Sequence, residues 1–146
     1  MGTPTTTDSD ASAQREDGRA LKGKTGLRRL INATRYSRDG LREAWRHENA
    51  FRQEVVLGAV LVPLALWLPV PLVEKLLLVG VLVMLLIVEL VNSAIEAAVD
   101  RDSLEINPLG KRAKDLGSAA VMLALLMAGG TWIAVLWTNF GPGAVQ

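Results

Sequence analysis

The chain contains no cysteine and only one histidine, His47, among its 146 residues. The first absence removes disulfides and thiolate nucleophiles. The second removes any multi-histidine metal site within one chain. The more informative absence is local: no charged residue occurs from Val55 to Val73, nineteen residues, or from Leu116 to Thr138, twenty-three residues. From Leu76 to Val99 the only charges are Glu89 and Glu96. A membrane span needs about 20 apolar residues. A soluble bundle would keep a polar stripe on each helix, and the first and third runs show almost none. The expected fold is an all-α membrane protein with three transmembrane helices, at residues 53–70, 73–100 and 112–138. The first twenty residues hold no apolar run, so no signal peptide is expected.

The net charge of +1 says little, but its distribution is uneven. Eleven of the sixteen Lys and Arg lie in residues 1–54, and four more, Arg101, Lys111, Arg112 and Lys114, lie between the second and third runs. The first connection carries only Lys75. The excess of positive charge on cytoplasmic segments places the N-terminus and the second connection in the cytoplasm. Residues 1–24, rich in Thr, Ser, Asp, Gly and Lys, are expected to form a disordered tail. In residues 26–53, Leu27, Leu30, Ile31, Leu41, Ala44, Trp45 and Phe51 recur among seven arginines. That pattern predicts an amphipathic helix in the membrane interface over residues 26–50, bent at Gly40. It serves either as an anchor or in substrate binding. Pro63 is expected to kink the first span, Pro69 and Pro71 to mark its turn, and Asn107-Pro108 to mark a turn in the second connection. Trp132 and Trp137 suit an interfacial aromatic belt.

Residues 18–25, Gly-Arg-Ala-Leu-Lys-Gly-Lys-Thr, fit the phosphate-binding G-x-x-x-x-G-K-[ST] pattern. That loop works only when a buried strand delivers it to a helix. The polar, acidic stretch Asp8–Asp17 cannot be such a strand, so the match reads as an accident of composition.

Glu89 follows thirteen uncharged apolar residues, Leu76 to Val88. An ionisable residue at such a position is costly in lipid and points to function. On a helical wheel with Glu89 at zero, Asn92 falls at about 300°, Glu96 at about 340°, Asp100 at about 20° and Ser93 at about 40°. The five share one stripe that rises about 16 Å, from just inside the hydrocarbon to the cytoplasmic surface. Two readings stand. The stripe is a polar seam between helices, or its carboxylates act as a general base and as oxygen ligands for a hard divalent cation. The first and third runs offer no cation at that depth, which weakens the seam. Lys111, Arg112, Lys114 and Asp115 add a charged cluster that either meets a polyphosphate or is a solvated cytoplasmic loop.

Two blocks are more specific: Glu89-Leu-Val-Asn-Ser-Ala-Ile-Glu-Ala-Ala-Val-Asp-Arg101, and Gly110-Lys-Arg-Ala-Lys-Asp-Leu-Gly-Ser-Ala-Ala120. With Tyr36-Ser37, Gly40-Leu41-Arg42, Ala44-Trp45 and Ala50-Phe51-Arg52-Gln53-Glu54 upstream, the chain resembles the small integral-membrane diacylglycerol kinases of bacteria over about residues 25–140. The resemblance implies a lipid kinase domain over residues 25–146 that works as a homotrimer with active sites shared between subunits. It would lie in the bacterial inner membrane with its N-terminus in the cytoplasm. It would use ATP and Mg²⁺ to convert 1,2-diacylglycerol to phosphatidic acid, with no nucleic-acid partner. By motif position Glu89 looks like the general base, supported by Asn92, and Glu48 with Glu96 looks like the metal pair. Arg29, Tyr36, Glu48, Glu96, Glu105, Ile106, Asn107, Lys114 and Asp115 match nucleotide positions. Arg29, Trp45, Phe51, Glu89, Ser118 and Trp132 resemble lipid-side positions. His47 and Asn107-Pro108 depart from the family pattern, where a small polar residue and a nearby histidine are expected. A kinase of the same architecture acting on undecaprenol is the alternative. A non-enzymatic, acid-lined pore would need neither Glu48 nor the Arg-Ala-Lys-Asp block.

Overall fold

The computed structural model describes residues 27–102 and 107–142. The tail, the Gly18–Thr25 match, Glu105 and Ile106 lie outside the described residues. Among the described residues four helices follow in order: α1 (Leu27–His47), α2 (Asn49–Trp67), α3 (Leu72–Asp102) and α4 (Pro108–Phe140). Among them α2, α3 over Leu72–Arg101 and α4 are long and apolar enough to cross a membrane.

The helix boundaries differ from those expected, for local reasons. The break between α1 and α2 falls at Glu48, whose φ of −103° and ψ of 113° are extended, while the helix runs through Gly40. The α2 helix passes through Pro63 and stops at Trp67. Leu68 precedes Pro69 and is driven out of the helical region, to φ −56° and ψ 137°. The Pro71 carbonyl accepts from Lys75 N at 3.1 Å and so opens α3, with Glu74 in the first turn, where the helix dipole favours an acid. Asn107 is not merely a turn residue but the N-cap of α4. Its side-chain oxygen accepts from Leu109 N at 2.9 Å, and Pro108 takes the first helical position, where its missing N–H costs nothing. This cap starts α4 earlier than the end of the charged run suggested.

The chain divides into two compact units, Met1–Gly40 and Leu41–Gln146. In the first, the described residues form the early turns of α1, with Leu30, Ile31 and Tyr36 exposed. In the second, α3 packs against both α2 and α4. The buried positions of α3 are Leu78, Leu82, Leu85, Glu89 and Asn92. Their alternating spacing of four and three makes a single stripe down the helix. The α4 helix answers with Gly117, Ala124, Ala128, Trp132 and Val135. Ala65, Leu68, Val70, Leu78, Leu82, Trp132 and Val135 form one apolar cluster around the turn between α2 and α3. Trp132, expected in an interfacial belt, is therefore a core residue at 8% exposure, because it shares the face of Ala124 and Ala128. Trp137 is exposed. Near the same end Asn139 Nδ2 donates to Glu74 Oε2 at 2.6 Å, and Lys75 Nζ donates to Leu66 O at 2.8 Å. Large apolar side chains such as Leu76, Val83, Ile87, Leu123 and Ile133 face outward, as on helices whose solvent is lipid or another helix.

Candidate active site

Glu89 continues the stripe that buries Leu78, Leu82 and Leu85, so its carboxylate occupies a core position between helices. It is 4% exposed. Among the described residues no Lys or Arg pairs with it. One turn on, Asn92 is also buried, and its Nδ2 donates to Glu96 Oε1 at 3.0 Å. Asn92 Oδ1 and Ser93 Oγ are buried without a hydrogen-bond partner among the described residues. Glu96 is half-buried and Asp100 is exposed, so the stripe passes from interior to surface in the order that the helical wheel gives.

Two further carboxylates approach from the neighbouring elements. Glu48 at the α1–α2 break and Glu96 both lie within Coulombic reach of Glu89. Glu54, on the second turn of α2, lies within reach of it too, and its Oε2 is buried without a partner among the described residues. Glu54 was missing from the expected site. The available signal was its place as the last charge before nineteen uncharged residues. The backbone around Glu48 is fixed by Arg52, whose guanidinium donates to Trp45 O and Arg46 O, both at 3.0 Å, and to Asn49 Oδ1. Those carbonyls end α1 and have no partner within the helix. Arg52 thus ties the end of α1 to the start of α2 and sets the direction from which Glu48 faces α3.

On α4, the side facing α3 carries Gly110, Lys114 and Gly117. Lys114 Nζ donates to both oxygens of Asp100, at 2.7 and 3.0 Å. Asp115 is exposed and pairs with Lys111 at 2.7 Å. Gly117 is buried against Asn92.

The structure therefore brings together Glu48, Glu89, Asn92 and Glu96, with Glu54 added. Phe51 is buried, whereas Trp45 and Ser118 are exposed. Trp132 packs in the apolar cluster and is not gathered with the acids. Arg29 and Tyr36 belong to the first unit and are exposed there. Asn107 spends its acceptor on the helix cap, which leaves its amide N–H groups for any other partner. Among the described residues no group of three or more Asp, Glu, His or Cys forms a ready metal cage. The donor set at the site is all oxygen, and two carboxylates that leave room for phosphate oxygens are what Mg²⁺ commonly takes.

One buried glutamate among half-buried acids, at the polar end of an apolar three-helix unit, is the geometry against which relatives can be judged. Residues 35–136 match the family model described as prokaryotic diacylglycerol kinase. A diacylglycerol kinase of Pseudomonas aeruginosa is 54% identical over 116 residues, covering 80% of this chain and 94% of that protein. One from Escherichia coli K12 is 49% identical over 117 residues, covering 80% of this chain and 96% of that protein. One from Haemophilus influenzae is 42% identical over 113 residues, covering 77% and 96%. At this identity, and with nearly the whole length of each relative matched, the chain belongs to the prokaryotic diacylglycerol kinase family.

Proposed function

We propose that this chain transfers the γ-phosphoryl group of ATP to the hydroxyl of 1,2-diacylglycerol, giving phosphatidic acid and ADP. The observation that carries the reading is the Glu89 carboxylate, buried on an apolar helix, with no cation paired to it among the described residues, beside Asn92 and Glu96. The similar proteins named diacylglycerol kinase supply the substrate class.

In this mechanism Glu89 accepts the proton of the lipid hydroxyl as its oxygen attacks the γ-phosphorus and the bond to the ADP oxygen breaks. A base at that depth can meet a lipid that never leaves the bilayer. Asn92 fixes the direction of the Glu96 carboxylate through its hydrogen bond. Glu48 and Glu96 would hold Mg²⁺, which when bound neutralises charge on the phosphate oxygens. Lys114 adds positive charge for the nucleotide, with Asn107 and Asp115 as further contacts. Glu54 faces Glu89 from α2 and bounds the space in which the hydroxyl must sit. A homotrimer with shared sites would cover the outward apolar faces of α3 and α4. The positive N-terminal segment and the basic start of α4, Lys111 to Lys114, favour an inner-membrane protein with both on the cytoplasmic side, where ATP is.

The test is an assay of purified protein in mixed micelles with labelled ATP, diacylglycerol and undecaprenol side by side, with and without Mg²⁺. Label is expected in phosphatidic acid, in the presence of Mg²⁺ only. Label in undecaprenyl phosphate alone would overturn the substrate assignment. Replacing Glu89→Gln should cut kcat by about 10²- to 10⁴-fold, the usual share of a general base. A kcat near that of the unmodified protein would remove Glu89 from that role.

A further inference from the structure

The α4 helix presents two glycines to α3, and they meet different chemistry. A Cβ at Gly110 would stand 2.9 Å from Val99 Cγ1, an apolar branch. A Cβ at Gly117 would overlap Asn92 Oδ1 and stand 3.3 Å from Asn92 Cγ. Gly129 and Gly130, on the same helix, have nothing within 4 Å of that position.

The contact at Gly117 constrains an orientation as well as a volume. A side-chain amide has two faces to turn, one with two donors and one with an acceptor. Glu96 Oε1 takes the donor face, since an ionised carboxylate can only accept. Asn92 Oδ1 is thereby directed away from Glu96, into a buried position without a hydrogen-bond partner. Glycine leaves only a hydrogen at that point. A methyl group there could not be accommodated by flipping the amide. The flip would put the equally bulky NH₂ at Gly117 and set the carbonyl oxygen against the Glu96 carboxylate.

We propose that Gly117 is a positioning residue for phosphoryl transfer: its missing side chain keeps the Asn92 amide turned towards Glu96. The inference rests on the assignment of Asn92 and Glu96 to the reacting centre. It adds a residue from α4 that acts only through Asn92. Gly110 marks the contrast, since a methyl group there presses on packing alone.

The experiment compares Gly117→Ala, Gly110→Ala, Asn92→Ala and the double variant Asn92→Ala/Gly117→Ala in the full-length chain. The readouts are kcat and KM for diacylglycerol, thermal unfolding, and the side-chain amide resonance of Asn92, identified by its loss in Asn92→Ala. Gly117→Ala is expected to lower kcat by roughly 10- to 100-fold with little change in KM. It should also move the Asn92 amide resonance. Gly110→Ala should leave both in place. In the Asn92→Ala background, Gly117→Ala should cost nothing further, because the two changes act through one contact. Should Gly117→Ala alone fail to fold, the double variant is expected to fold, since the overlapping amide is gone. An unmoved Asn92 resonance, additive losses in the double variant, or a double variant that also fails to fold would each overturn the inference. An Asn92→Ala variant with full activity would instead overturn the assignment on which the inference rests.

Discussion

Along α3 one buried stripe carries Leu78, Leu82 and Leu85 at one end and Glu89 and Asn92 at the other. Both ends face α4, yet they are built differently. The leucine end packs on Ala65, Leu68, Val70, Trp132 and Val135, and its charged residues nearby are bonded, Glu74 to Asn139 and Lys75 to Leu66 O. Its one orphaned group among the described residues is the Trp132 indole N–H. The glutamate end leaves Glu54 Oε2, Asn92 Oδ1 and Ser93 Oγ buried and unpartnered, with like charges close together. Buried polar atoms are normally satisfied, and exceptions call for a reason. The contrast suggests that the first end holds the helices together. The second carries polar groups at a cost, since they are directed at something other than each other.

The largest expected effects separate the two ends outright. Leu78, with no exposure, should behave as a packing residue: Leu78→Ala is expected to lose about 2–5 kcal/mol of stability while the folded fraction keeps its kcat. Glu89→Gln should do the reverse, abolishing most turnover with no loss of stability. Paired measurements of thermal unfolding and kcat on the two variants check this. A stable but inactive Leu78→Ala would break the division between the ends.

Glu54 gives a sharper form of the same comparison, because one substitution should move stability and activity in opposite directions. Its carboxylate is half-buried, has an unpartnered oxygen and lies near Glu89. Glu54→Gln removes one of two neighbouring negative charges. It should raise stability by about 1 kcal/mol, as substitutions that relieve a costly functional site often do. Turnover should fall roughly tenfold, because the amide keeps the size of the carboxylate but not the acid that faces Glu89. A variant both less stable and fully active would make Glu54 a structural residue like Leu78.

The three apolar runs and the alternation of charge were readable because membrane spanning depends on composition over long stretches, which no distant contact can change. The stripe from Glu89 to Asp100 was readable for a related reason: helical spacing is local. Less legible was how the stripe is seated. The wheel joined Glu89 to Asn92 and Glu96, but not to Leu78, Leu82 and Leu85, which make its position a core one. Trp132 read as an interfacial anchor because its neighbours in sequence are apolar, whereas its burial depends on the turn between α2 and α3. Glu54 and Gly117 are not legible as site residues, because each matters only through a residue on another helix. Asn107 looked like a turn, and its capping role became visible only once Leu109 N was placed against it.

The smallest effects should come from the polar contact that ties each end together across the chain. Asn139 and Glu74 close the leucine end, and Lys114 and Asp100 close the glutamate end. Asn139→Ala removes two hydrogen bonds, to Glu74 and to Val135 O, and should cost about 1–2 kcal/mol of stability, with KM for ATP unchanged. Asp100→Asn should barely alter stability, since an exposed ion pair contributes little. It should still raise KM for ATP a few-fold, because Lys114 is then no longer steered by a carboxylate on its facing helix. The distinction lies in which parameter moves. If Asp100→Asn shifts only the unfolding temperature, Lys114 is a strut like Asn139, and the functional end of the stripe stops at Glu96.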